Sequence, residues 1–145
     1  MSSKRDGVEF DFIVTNYHVV EQCLDGKEIT VLDSYYNDFT AEVISVAYSE
    51  GSYAPSERAN DLALLQPNVE IFQTISDYLY AQHLGSWVTA VGFPEISNAV
   101  KSMVMTTGVI PSKAEPVGYT TTAVINPGSS GSMLTNARGE VIGVV

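Results

Sequence analysis

The segment with the clearest chemical potential is a run of small residues, Asn126-Pro-Gly-Ser-Ser-Gly131, which lies between two strand-like runs. A glycine at position 128 lets the backbone turn two N–H groups toward one point, as an oxyanion hole requires. Ser130, two residues further on, would supply a nucleophilic hydroxyl and one of those N–H groups. The same composition is typical of an ordinary loop, so this segment alone leaves both interpretations open.

Two other motifs rich in glycine or serine do not fit this segment. A nucleophile elbow needs the pattern G-x-S-x-G, and here Ser132 stands at its last position. Enzymes with that elbow also place their histidine after the nucleophile, whereas His18 and His83 both precede Ser130. A phosphate-binding P-loop needs a lysine after its glycines, and this segment has none.

Two further segments carry residues that could act together with a serine. His18 comes just after the apolar run 12–14, and Asp61 opens the apolar run 61–65. A histidine beside apolar residues is usually packed or hydrogen-bonded, and an aspartate that opens a strand usually caps the preceding loop. The alternative is a carboxylate led inward to accept an imidazole N–H, which fixes the tautomer and stabilises the imidazolium. His83 lies in a polar connector and is expected at the surface.

The three segments, in the order His18, Asp61, Ser130, resemble those of the trypsin-like (chymotrypsin-fold) serine endopeptidases, and most closely the HtrA/Deg branch. That branch carries T-N-x-H-V-V, D-L-A-(V/L)-L, V-x-A-(I/V)-G-x-P, and I-N-P-G-N-S-G-G-P-L followed by G-x-V-I-G-(V/I). This chain has counterparts in the same order at residues 15–20, 61–65, 88–94, 125–134 and 139–144. The resemblance therefore spans nearly the whole chain.

The resemblance assigns a role to each of these residues. It makes His18 the general base, Asp61 the acid that orients it and Ser130 the nucleophile, with the backbone N–H groups of Gly128 and Ser130 as the oxyanion hole. It implies a protein or peptide substrate, with small aliphatic P1 residues, and no metal or organic cofactor. It also implies a bacterial protein of the cell envelope or a secreted one, from a family whose members are often trimeric.

The chain departs from the family pattern around the nucleophile. Ser129 replaces an asparagine and is expected to contribute no essential group, whereas Ser132 replaces a glycine and would be strained if the backbone there needed a positive φ. These changes keep a second hypothesis open, namely a catalytically inactive, truncated remnant of the fold that acts as a binding module. A third hypothesis, an unrelated β-barrel binding protein, would require the ordered segments to be coincidental.

Short runs rich in β-branched and aromatic residues, separated by turn residues, predict an all-β fold. The resemblance specifies a trypsin-like double β-barrel of two antiparallel Greek-key barrels, both incomplete because the chain is expected to be truncated at both ends. The predicted organisation is a first barrel half with His18 and Asp61 (1–66), a linker with a helical turn (67–84) and a second half with Ser130 (85–145). The predicted strands cover residues 8–14, 28–33, 40–47, 61–66, 86–93, 101–109, 119–124, 131–135 and 140–145.

Composition excludes several classes of function. The 145 residues are 45% hydrophobic, and 17 Asp plus Glu against 7 Lys plus Arg give a formal net charge of -10. So acidic a surface repels phosphate backbones, which makes nucleic acid a poor partner. The single cysteine, Cys23, and two histidines do not suffice for a zinc cage. No apolar run reaches the length of a membrane span, and the first ten residues lack the apolar stretch of a signal peptide.

Overall fold

The structure is a computed structural model, and its described part forms twelve strands and two short helical segments, which confirms the predicted all-β class. The chain divides into two compact units. The first unit contains the described residues up to 47 together with 61–70, and the second contains those from 82 onward. The described residues are 2–5, 8–24, 26–33, 35, 37–47, 61–70, 82–94, 102–114 and 118–145.

The elements of the first unit are β1 (Ser2–Arg5), β2 (Val8–Asp11), β3 (Ile13–Thr15), α1 (Tyr17–Val20), β4 (Ile29–Leu32), β5 (Asp38–Ala47) and β6 (Leu62–Pro67). They form a four-stranded antiparallel sheet in the order β3-β6-β5-β4 and a separate antiparallel pair, β1-β2. The single turn of helix α1 and a short 3-10 helix (Glu21–Cys23) connect β3 to β4.

The alternation of buried and more exposed side chains along β6 shows which face of this sheet is buried. Ala63, Leu65 and Pro67 are buried, whereas the residues between them are more exposed. Ala63 and Leu65 pack with Val20 and Ala41 in the core of this unit. Successive residues of a strand point to opposite faces, so Asp61, two residues before Ala63, is directed to the same side as these core residues.

The strands of the second unit are β7 (Trp87–Gly92), β8 (Val104–Val109), β9 (Lys113–Ala114), β10 (Gly118–Tyr119), β11 (Met133–Asn136) and β12 (Val141–Val144). They form a four-stranded antiparallel sheet in the order β12-β11-β7-β8 and a short pair, β9-β10. The core of this unit consists of Val88, Ala90, Ile110, Ala123, Leu134 and Ile142, with Val145 packed against them.

The strand predicted over residues 119–124 is wrong, because only Gly118–Tyr119 is strand and the residues that follow are irregular. This segment instead lies beside the end of β8 through bonds that involve threonine hydroxyls. Thr122 donates its N–H to the carbonyl of Val109 (3.0 Å), and its Oγ1 accepts the N–H of Val109 (2.9 Å). The threonines of this segment favour a strand by their β-propensity. In the structure, however, the hydroxyl of Thr122 accepts a hydrogen bond from β8 that a strand carbonyl would otherwise accept.

Other predicted elements have shifted bounds or lie outside the described residues. The run predicted as one strand over 8–14 is interrupted at Phe12 and forms β2 and β3, and β1 and α1 were not predicted. The linker predicted over 67–84 begins at Pro67, which is the last residue of β6, and residues 71–81 lie outside the described part. The barrel boundaries at 66 and 85 stay predictions.

Gly108 allows the irregular segment to approach β8 closely, which gives a test of this packing. A Cβ built on Gly108 would overlap the backbone nitrogen of Ala123 and lie 2.6 Å from the carbonyl carbon of Thr122. Neither backbone atom can move aside alone, so we expect Gly108→Ala to lower the free energy of unfolding by about 3 kcal/mol, the upper part of the usual overpacking range. Urea denaturation measures this loss.

The matched control is Gly143→Ala, since a Cβ built on Gly143 would meet no atom of the described residues within 4 Å, its two chain neighbours apart. We expect this change to alter the free energy of unfolding by no more than about 0.5 kcal/mol. Equal effects of the two substitutions would contradict the close approach at Gly108.

Gly92, at the end of β7, packs directly against Ser132, and the pair can be tested by compensation. A Cβ on Gly92 would overlap Oγ of Ser132 and lie 2.7 Å from its Cβ, but 3.6 Å from its Cα. We expect Gly92→Ala to cost about 1–3 kcal/mol of stability, and Ser132→Gly in the same chain to remove most of that cost. If thermal unfolding shows that the effects of the two substitutions on stability are strictly additive in the double variant, Gly92 and Ser132 do not pack directly against each other.

Candidate active site

His18 and Asp61 are in direct contact in the first unit. Nδ1 of His18 lies 2.6 Å from Oδ2 of Asp61, and the backbone N–H of His18 donates to Oδ1 of the same carboxylate at 2.9 Å. The side chain of His18 is 51% exposed and that of Asp61 is 25% exposed. Because an ionised carboxylate only accepts hydrogen bonds, this contact holds a proton on Nδ1 and leaves Nε2 of a neutral imidazole as an acceptor.

The pairing of β3 with β6 brings these two residues together across 43 positions of sequence. Thr15, the last residue of β3, pairs with Ala63 of β6, so continuing the antiparallel register places Asp61 opposite the first turn of α1. His18 lies in that turn. The strand register thus determines which side chain meets the imidazole.

Asn16 fixes the backbone of Asp61 from the other side. Its side chain is buried, and Nδ2 donates to the carbonyl of Asp61 at 3.1 Å. Asp61 is therefore held at its carbonyl oxygen by Asn16 and at both carboxylate oxygens by His18. No role for Asn16 was predicted from the sequence, because the carbonyl that it contacts belongs to a residue 45 positions further along the chain.

The serine-containing loop of the second unit begins with a type II β-turn. The N–H of Ser129 donates to the carbonyl of Asn126 at 3.0 Å, which closes the turn. Proline at position 127 fixes a negative φ, and Gly128 has a φ of 85°, the combination that defines type II. The sequence N-P-G therefore specifies this backbone locally.

A second turn follows at once and carries Ser130. The N–H of Ser132 donates to the carbonyl of Ser129 at 2.9 Å, and Gly131 has a φ of 84°. Two further bonds join this turn to the end of β12: Gly131 donates to the carbonyl of Val145 (3.1 Å), and Val145 donates to that of Ser132 (2.9 Å). Ser130 is exposed at the second position of this turn.

The N–H groups of Gly128 and Ser130 have no acceptor among the residues that the structure describes. Both residues are exposed, whereas Ser129 between them is buried. Two exposed backbone donors next to a serine hydroxyl are groups that can stabilise negative charge on an acyl oxygen.

His83 and Cys23, the other residues considered for chemistry, lie apart from the contacts described above. His83 is exposed, and its carbonyl accepts the N–H of Ser86 at 3.1 Å. Cys23 is a free, partly exposed thiol. Within the described ranges, no group of three or more His, Cys, Asp and Glu side chains could hold a metal ion, and no helix has the length and apolar character to cross a membrane.

Comparisons with known proteins identify the family of the chain. A family model described as the trypsin-like peptidase domain matches residues 3–144. The chain is 34% identical over 140 residues to the magnetosome formation protease MamE of Magnetospirillum gryphiswaldense, covering 92% of this chain and 17% of that protein. It is 32% identical over 149 residues to a probable periplasmic serine endoprotease, DegP-like, of Chlamydia trachomatis, covering 94% of this chain and 26% of that protein.

A solved structure, that of the serine endoprotease from Yersinia pestis, aligns with a TM-score of 0.65 at 26% identity and covers 92% of this chain and 43% of that one. The chain therefore spans less than half the length of each of these relatives. The expected trypsin-like fold class is confirmed by the structural likeness, and the suspected resemblance by the family match. The chain belongs to the trypsin-like peptidase domain family and resembles its HtrA/DegP-like members.

Proposed function

We propose that this chain hydrolyses peptide bonds as a serine endopeptidase, with His18 as general base, Asp61 as its orienting acid and Ser130 as nucleophile. The observation that carries the proposal is the double contact of His18 with the Asp61 carboxylate, at 2.6 Å to Nδ1 and 2.9 Å to the backbone N–H. This contact sets the imidazole in the tautomer that can accept a proton at Nε2.

In the proposed reaction, Oγ of Ser130 attacks the carbonyl carbon of the substrate while Nε2 of His18 takes the hydroxyl proton. The imidazolium that forms is stabilised by the Asp61 carboxylate, and the N–H groups of Gly128 and Ser130 donate to the oxyanion. His18 then gives its proton to the leaving amine, which breaks the peptide bond and leaves an acyl ester on Ser130. Water, deprotonated by His18, hydrolyses the ester and restores the enzyme.

The class of substrate follows from the relatives. They are described as a magnetosome formation protease and a periplasmic serine endoprotease, which supports protein substrates and a site of action in the bacterial cell envelope. Residues 123–125, ahead of the serine loop, are all apolar, so a substrate side chain with a positive charge finds no acidic partner there. Small aliphatic P1 residues in unfolded proteins fit this composition.

Covalent labelling tests the nucleophile. A fluorophosphonate phosphonylates an activated serine with loss of fluoride, so we expect intact mass to show one adduct on the chain and none on Ser130→Ala or His18→Ala. Ser132→Ala is the matched control, because it removes a hydroxyl from the same loop, and it should still label. Absence of label on a parent chain that circular dichroism shows to be folded would contradict the proposal and favour a non-catalytic binding module.

Asp61→Asn tests the orientation of the imidazole. Asparagine has only one acceptor oxygen, so when that oxygen meets the backbone N–H of His18, its NH₂ group faces Nδ1 and forces the proton onto Nε2. We expect the labelling rate to fall by about 10⁴-fold, the factor by which kcat falls when asparagine replaces the aspartate of a Ser-His-Asp triad.

Asp33→Asn is the matched control for this change. Asp33 lies in the same unit, where its carboxylate accepts the N–H groups of Tyr35 (2.7 Å) and Asn37 (2.9 Å) in an exposed turn. We expect this variant to label at the parent rate. A labelling rate of Asp61→Asn within tenfold of the parent would mean that the carboxylate does not orient the base.

A further inference from the structure

Ser129 occupies the position between the two residues whose N–H groups the proposed mechanism uses. It is 7% exposed, whereas its neighbours Gly128 and Ser130 are exposed. Ser129 is therefore the one residue of these three that packs into the protein, whereas its two neighbours face the surface. The position is one where this chain differs from the asparagine of the family pattern.

Ser129 belongs to both turns of the loop. Its N–H closes the first turn on Asn126 (3.0 Å), and its carbonyl closes the second by accepting the N–H of Ser132 (2.9 Å). The last residue of one turn is thus the first residue of the next. Any rotation of the backbone at Ser129 would change the directions of the N–H groups on either side.

The side chain of Ser129 adds a bond that the backbone alone does not provide. Its Oγ accepts the N–H of Asn126 at 3.3 Å, so Asn126 and Ser129 are joined by a reciprocal pair of hydrogen bonds. The space behind them is a cavity of about 10 Å³, lined in part by Asn126, Ser129, Ser132 and Thr106. That volume is at the lower limit for one water molecule.

We infer that Ser129 is a positioning residue for the oxyanion-binding loop: its hydroxyl holds Asn126 and so keeps the N–H groups of Gly128 and Ser130 in their working directions. This inference rests on the proposed function. It also assigns a role to a residue that the sequence alone suggested to be inessential. Ser129 touches neither the substrate nor the reacting atoms, and it acts through the two turns.

The test compares Ser129→Ala with Ser129→Asn in the same 145-residue chain. Alanine removes the acceptor, so we expect fluorophosphonate labelling and kcat on a casein-derived peptide to fall about tenfold while KM stays within twofold. Asparagine offers a carboxamide oxygen that can accept the same N–H, so it should restore most of the rate. Ser112→Ala is the matched control in the same unit, since it removes a hydroxyl that bonds to Oγ1 of Thr120 at 2.7 Å, and it should leave both values unchanged.

The outcomes separate this inference from the proposed function. A folded parent chain that takes no label contradicts the proposed function itself. A labelled parent with Ser129→Ala at the same rate, or with a raised KM and unchanged kcat, overturns only the role of Ser129. If circular dichroism shows the alanine variant to be unfolded, Ser129→Asn decides: a rate near that of the parent supports the role, and a rate tenfold lower overturns it.

Discussion

The candidate site in the first unit depends on one carboxylate, that of Asp61, whose two oxygens both contact His18. Asp61 accepts the backbone N–H of His18 and contacts its ring nitrogen, so the backbone position and the ring orientation of the histidine are fixed together. This geometry requires the observed pairing of Thr15 with Ala63. A slip of one residue would turn Asp61 toward the opposite face of the sheet and leave the imidazole without its partner.

The serine loop is fixed in a different way. Its backbone follows from a local sequence, with proline at 127 and glycines at 128 and 131 at the positions that turns demand. Long-range structure adds an anchor through the bonds of Val145 with Gly131 and Ser132. Ser129 contributes to both the local backbone and the packing, because it closes both turns and is itself buried. The loop therefore keeps its polar groups at the surface while its central residue packs inward.

Features that follow from the local order of residue types could be predicted from the sequence, whereas features that depend on a hydrogen-bond partner far along the chain could not. The strand that follows Asp61 was recognisable from its apolar residues, and a backbone turn at Gly128 from the run of small residues around it. The strand over 119–124 was predicted wrongly because β-propensity does not tell whether a threonine hydroxyl will take the place of a ladder bond, as Thr122 does. The contribution of Asn16 could not be seen because its partner, the carbonyl of Asp61, is brought to it only by sheet pairing.

The difference in sequence separation between the two halves of the proposed chemistry has a kinetic consequence. Asn126 and Ser129 are three residues apart, whereas His18 and Asp61 are 43 apart. Short loops close in about 10–100 ns, while contacts of high sequence separation dominate the time that a chain needs to fold. A chain that has closed its turns but not yet paired β3 with β6 holds a serine without its base. In the proposed mechanism, hydrolytic competence therefore arises with the slower, long-range step of folding.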